Sequence, residues 1–211
     1  MDLVPKLDRV LWRCPDDAVA ALVLAHGAGA GMTHRNMEAI AAAFAARGIA
    51  TLRFDFPFIE AGRARVDPPE AATGRIAEAY AAAAAQTRLP LWLGGHSFGA
   101  RIASHAVLDR GLAPRGLVFC AFALHPPGKP ATLRARHLER IEQPMLFLSG
   151  TRDALADRRL LEPLVAQLPR AELHWLDTAD HGYRVLARSR AGGEDVFAEM
   201  ARVARAFIDR A

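Results

Sequence analysis

The pentapeptide Gly95-His96-Ser97-Phe98-Gly99 sets a serine between glycines two positions away on either side. A serine hydroxyl attacks well only when it stands clear of its neighbours and a base takes its proton. A very tight strand-to-helix turn provides the first condition, and it tolerates only tiny side chains at the positions that Gly95 and Gly99 occupy. Ala100 then lets the helix lie close to a neighbouring strand, and the helix N-terminus favours negative charge developing at the site. A Gly-rich turn with an ordinary Ser gives the same pattern, so its weight depends on partners elsewhere.

The partners required are a histidine base on a late loop and an acid that orients it from the end of an earlier strand. Gly150-Thr151-Arg152-Asp153 and Ala179-Asp180-His181-Gly182 both follow apolar strand-like runs, so Ser97, Asp153 and His181 stand in the required chain order. Asp157 reads instead as the cap of a helix over 157–168, and Asp180 is adjacent to His181, where loop neighbours rarely face each other. His105 and His174 fall within a helical and a strand-like run, which suits structural roles. A tetrahedral intermediate also needs two backbone N–H donors. Phe98, just after the serine, offers one, and Ala28 in His26-Gly27-Ala28-Gly29-Ala30-Gly31 offers the other. That loop lacks the Lys-Ser/Thr ending and the GxGxxG spacing of phosphate-binding loops, and His26 is read as orienting it.

Elements must hold these residues at strand ends. Residues 20–25 form an apolar run closed by glycines, as expected of a central strand buried on both faces. Residues 34–47 carry apolar positions at helical spacing and stop at Gly48. The alternation continues: strands over 49–56, 89–94, 116–124, 144–149 and 172–176; helices over 71–88, 98–110, 157–168 and 194–210. Residues 8–13 read as a short edge strand, 57–70 as a loop, and 125–143 as an irregular connection with a helical turn near 131–140. Such alternation predicts one α/β domain over 1–211, with a mostly parallel sheet covered by helices on both faces. Ligands in such sheets bind outside the carboxyl ends of the strands.

Composition narrows the function classes. About half of the 211 residues are hydrophobic, enough to bury a substantial core. The net charge is +4, carried almost wholly by scattered arginines, with only Lys6 and Lys129 as lysines and no basic run. That argues for a solvated Arg-rich surface and against nucleic-acid binding. Cys14 and Cys120 make no metal-ligand spacing, so neither a metal site nor a disulfide framework is expected. The first residues carry no apolar signal segment and no run is long enough to span a bilayer, so a cytoplasmic protein without a membrane span is expected.

HGAGAG, GGHSFGARIAS, LSGTRD and ADHGY, in that order, resemble the α/β-hydrolase superfamily along nearly the whole chain. More narrowly the chain is similar to small cap-less members related to dienelactone hydrolases, and to a branch that includes a hydrolase-like domain of a chromatin-associated complex. The resemblance implies a three-layer α/β-hydrolase fold, a triad of Ser97, Asp153 and His181, and oxyanion donors Ala28 and Phe98. Dienelactone hydrolases use Cys as nucleophile where this chain has Ser97. Residues 125–143, where larger members insert a cap, are too few for one, and early antiparallel strands are expected to be missing.

Phe56, Phe58, Phe122 and Tyr183 follow strand ends and are candidate walls of the site. Arg101, with Arg63 and Arg65, would favour an anionic ester if they converged. The function expected is a carboxylic-ester hydrolase working through an acyl-serine on a small-molecule substrate, with no cofactor. The alternatives are a thioesterase or amidase using the same triad, and a non-catalytic interaction module that kept the fold.

Overall fold

The computed structural model describes residues 9–190 and 193–211. The N-terminal stretch read as free of a signal segment, and residue 8 of the expected edge strand, lie outside the described residues. Among the described residues seven strands make one sheet: β1 (Val10–Arg13), β2 (Ala20–Ala25), β3 (Ile49–Phe54), β4 (Leu91–His96), β5 (Leu117–Cys120), β6 (Met145–Gly150) and β7 (Ala171–Leu176). Between and after them come α1 (Arg35–Ala45), α2 (Pro57–Glu60), α3 (Pro69–Gln86), α4 (Phe98–Asp109), α5 (Arg158–Ala166) and α6 (Val196–Ile208). The strand order is β1-β3-β2-β4-β5-β6-β7. Every neighbouring pair is parallel except β1 with β3.

Strands β2, β3 and β6 are buried along their whole length, because helices cover both faces of the sheet. Helices α1 and α6 pack on one face, around Met37, Phe44, Trp92, Met200 and Phe207. Helices α3, α4 and α5 pack on the other, around Phe54, Ile76, Ile102, Phe119 and Leu161. The chain leaves β2 toward β3 on one side and returns to β4 on the other, so β2 and β4 are neighbours at the switch in strand order. The crevice beyond their carboxyl ends is where ligands bind in such sheets. Residues 26–31 and Ser97 lie there.

Three expectations are revised. The sheet does carry an early antiparallel strand: β1 pairs with β3 from Val10↔Phe54 to Arg13↔Thr51 and covers that edge. The strand expected over 116–124 ends at Cys120, because Ala121 adopts φ 50° and turns out of the ladder, although 121–124 stay buried. The stretch 57–70 is not wholly loop. Pro57 opens the one-turn helix α2, α3 begins at Pro69, and Asp67 accepts hydrogen bonds from Phe58 N at 3.0 Å and Arg63 Nη2 at 2.7 Å. Residues 133–140 form a 3-10 helix against α4, and no cap domain is inserted among the described residues. No described helix is long and apolar enough to cross a membrane.

Candidate active site

Ser97 joins β4 to α4 with φ 57° and ψ −112°, a conformation a non-glycine residue keeps only when its surroundings impose it. Gly95 and Gly99 provide those surroundings: a Cβ on either would collide with the backbone carbonyl of Ala25 at the end of β2. The turn is thereby pressed against β2, and Ser97 N is fixed by a 2.9 Å bond to Cys120 O.

The loops after β6 and β7 are tied to each other. Thr151 N donates to Leu176 O at 3.1 Å and Arg152 N to Ala179 O at 2.9 Å. A Cβ on Gly150 would collide with Ala179, so only glycine lets the two loops meet this closely. This brings Asp153 to His181, where both carboxylate oxygens lie 2.9 Å from His181 Nδ1. His181 Nε2 lies 2.7 Å from Ser97 Oγ. Asp153 is buried and also accepts from Leu155 N at 2.8 Å, which leaves it fixed as an acceptor for an Nδ1–H. Asp157 caps α5 by accepting from Arg159 N, and Asp180 accepts from Gly182 N and Arg184 N, each at 2.9 Å. Neither of these competing acids takes up the imidazole.

Three further histidines hold this frame. His26, fully buried, donates from Nδ1 to Gly27 O at 2.8 Å and accepts from Phe56 N at 3.0 Å, so the glycine loop is stapled to the chain leaving β3. His125 repeats the pattern, with Pro126 O at 3.0 Å and Asp157 N at 3.0 Å, beside the Asp153 loop. His96 donates from Nε2 to His181 O at 3.0 Å. Burial first, then the neighbouring His181, pull the His96 pKa down to about 4; burial also lowers that of His26. Both rings therefore stay neutral near pH 7 and keep one donor and one acceptor nitrogen. Asn36 Nδ2 adds a 2.9 Å bond to Gly182 O. Sequence reading gave His26 its role but missed those of His96, His125 and Asn36; for His96 the signal was its place beside Ser97 within the turn.

The expected aromatic walls are interior side chains. Phe56, Phe58 and Phe122 are at most 1% exposed, and Tyr183 is buried with its hydroxyl donating to Leu148 O at 3.1 Å. The His26 ring meets Phe56 and Phe58 edge-on, and both phenyl rings pack against Phe98, so these side chains support the turn from beneath rather than face a substrate. Phe122 packs on Phe119 and Phe147. The expected arginines are dispersed: Arg63 pairs with Asp67, and the Arg101 guanidinium lies over the Phe98 ring, 5.6 Å from its centroid. Ala28 lies on the loop after β2 and Phe98 at the start of α4, and among the described residues neither backbone N–H is given a protein acceptor.

Comparison with known proteins gives the same outline. The model of a family described as alpha/beta hydrolase domain matches residues 18–209. The chain is similar to TT1662 from Thermus thermophilus, with 25% identity, a TM-score of 0.67, and coverage of 95% of this chain and 92% of that one. It is similar to XC6422 from Xanthomonas campestris, a serine hydrolase without a lid, with 19% identity, a TM-score of 0.69, and coverage of 95% and 88%. A dienelactone hydrolase from Anabaena variabilis aligns with 18% identity, a TM-score of 0.72, and coverage of 95% and 90%.

Proposed function

The chain belongs to the alpha/beta hydrolase family, and from that premise we propose that it is a serine hydrolase cleaving carboxylic esters of small molecules through an acyl-Ser97 intermediate. The observation that carries the reading is the unbroken chain from Ser97 Oγ to His181 Nε2 at 2.7 Å and from His181 Nδ1 to Asp153 at 2.9 Å, on a serine held at φ 57°.

In this mechanism Ser97 Oγ attacks the ester carbonyl as its proton passes to His181 Nε2. Asp153 accepts from Nδ1–H, which fixes the tautomer and stabilises the imidazolium. The carbonyl oxygen, now negative, is held by the Ala28 and Phe98 N–H groups; Phe98 is the first residue of α4, where a backbone donor has no partner within its helix. The carbon–oxygen bond to the leaving alcohol then breaks, and His181 Nε2 returns the proton to that oxygen. Water, deprotonated by His181, attacks the acyl-serine; the acid leaves and Ser97 regains its proton. The absence of a cap domain among the described residues suits small acyl groups that need no covered channel. Cys14 and Cys120 are both free thiols, which suits a reducing compartment, and we place the protein in the cytoplasm.

The test is labelling by a fluorophosphonate probe, with turnover of a short nitrophenyl ester. Wild type should be labelled, Ser97→Ala should not, and His181→Ala should lose at least about a thousandfold in kcat while remaining folded. A folded wild type that neither labels nor turns over the ester overturns the reading.

A further inference from the structure

Beside His181 lies a cleft of about 360 Å³ whose walls include Arg35, Arg152 and Arg184. They come from three separate places: the first residue of α1, the loop after β6 and the loop after β7. All three side chains are exposed at the cleft. Some arginines elsewhere, such as Arg75, Arg158 and Arg202, are matched by carboxylates, and others are not. Among the described residues none of these three is in an ion pair. Arg152 donates one bond, to Thr178 O at 3.1 Å, which fixes its stem and leaves further N–H groups for a ligand. The acid lining the cleft, Asp180, directs Oδ1 at the backbone N–H groups of Gly182 and Arg184. The N-terminal end of α1 adds positive potential from its dipole.

Resting on the serine-hydrolase reading, the geometry points to a carboxylate- or phosphate-bearing leaving group: the cleft formed by Arg35, Arg152 and Arg184 binds the anionic end of the alcohol that departs. The side follows from the chemistry. His181 Nε2 must reach the leaving oxygen to protonate it, so the leaving group rests against His181, and His181 is itself a wall of this cleft. Ala28 and Phe98, the donors proposed for the acyl carbonyl, do not line this cleft. Guanidinium groups suit an anion with two or three oxygens, because their N–H pairs engage it two at a time.

The experiment compares kcat/KM for 4-nitrophenyl acetate and 5-acetoxy-2-nitrobenzoate, which places a carboxylate on the same leaving group. Each value is divided by the ester's rate with hydroxide. The wild type should favour the anionic leaving group by roughly fivefold to tenfold, the combined effect of two or three exposed charge pairs. Arg152→Gln and Arg184→Gln should each lower that ratio, their combination should bring it to about one, and high ionic strength should shrink it in the wild type. A carboxylate moved to the acyl chain, in the mono-4-nitrophenyl ester of adipate against 4-nitrophenyl hexanoate, should gain no such preference. A ratio at or below one, a ratio unmoved by both substitutions, or a preference that follows the acyl carboxylate overturns the proposal. A binding measurement separates its failure from that of the hydrolase reading. On a Ser97→Ala background, calorimetric titration should show 5-hydroxy-2-nitrobenzoate binding more weakly once Arg152 and Arg184 are both Gln. Equal affinity overturns the anion cleft whatever the turnover data say, whereas turnover that survives Ser97→Ala overturns the serine mechanism alone.

Discussion

The imidazole of His181 is held from three directions: by Asp153 at Nδ1, by Ser97 at Nε2, and through its own carbonyl by His96 Nε2. The last bond needs only an Nε2–H, which a neutral or a protonated ring can supply; the charge of His96 matters for another reason. A protonated His96 would place a second positive charge beside the imidazolium that the proposed mechanism forms at His181, with ring centroids only 5.4 Å apart. Burial prevents this by keeping its pKa near 4. In the proposed mechanism His96 is thus a positioning residue, acting through the backbone of His181. His96→Ala should lower kcat by roughly ten- to a hundredfold with a smaller change in KM, because a misplaced base loses near-attack geometry rather than substrate affinity. His96→Gln, whose amide can donate to the same carbonyl, should restore most of that loss. Alanine and glutamine variants with equal kcat, or a loss confined to KM, would remove His96 from this role.

At the scale of elements, the site depends on how closely α4 and its turn approach β2. Gly99 sits where a methyl group would run into the backbone of both Ala25 and His26, whereas a methyl group at Gly29 would meet nothing within 4 Å. Gly99→Ala should therefore push the start of α4 off β2, cost about 2 kcal/mol or more in urea unfolding, and lower kcat, since the Phe98 N–H and Ser97 move with it. Gly29→Ala should stay within about 0.5 kcal/mol of wild type. Similar unfolding midpoints for the two variants would contradict the packing account. This contact also explains what sequence reading could reach. Gly95 and Gly99 around Ser97 are intelligible because a tight turn needs small residues at fixed spacing, and the strand ends bearing Asp153 and His181 are intelligible because buried parallel strands are short apolar runs. The fates of Phe56, Phe58 and Phe122 were not legible, because an aromatic after a strand can turn inward or outward, and the choice depends on rings from other segments, here His26, Phe98, Phe119 and Phe147. The edge strand over 8–13 was legible, but its antiparallel pairing was not, because its partner β3 lies more than thirty residues further on and nothing local announces the pairing.

For the whole molecule, the consequence of using histidines as fixed struts is sensitivity to acid. His96, between β4 and the β7 loop, and His137, between the 3-10 helix and α4 with Nε2 2.7 Å from Ser104 Oγ, both have pKa values lowered to about 4, burial being the largest cause. His26 and His105 are shifted down for the same reason. In the unfolded chain each of these groups takes up its proton near 6.5. Between pH 6.5 and 4 the unfolded state therefore binds more protons than the native state, and stability falls as the pH falls across that window, by an amount on the order of several kcal/mol. Below it the carboxylates of Glu38 and Glu199, which are held below their ordinary values, continue the trend with the same sign: their contribution is present above the ordinary glutamate pKa and lost as the pH drops through the folded value. Above about pH 7 these groups leave stability flat. The midpoint of urea unfolding should accordingly be lower at about pH 5 than at about pH 7, and the double variant His96→Gln, His137→Gln should lose much of that difference, since glutamine can keep a donor to each oxygen but takes up no proton. A wild type equally stable at both pH values, or a double variant with an undiminished slope, would show that these histidines do not govern the acid limb.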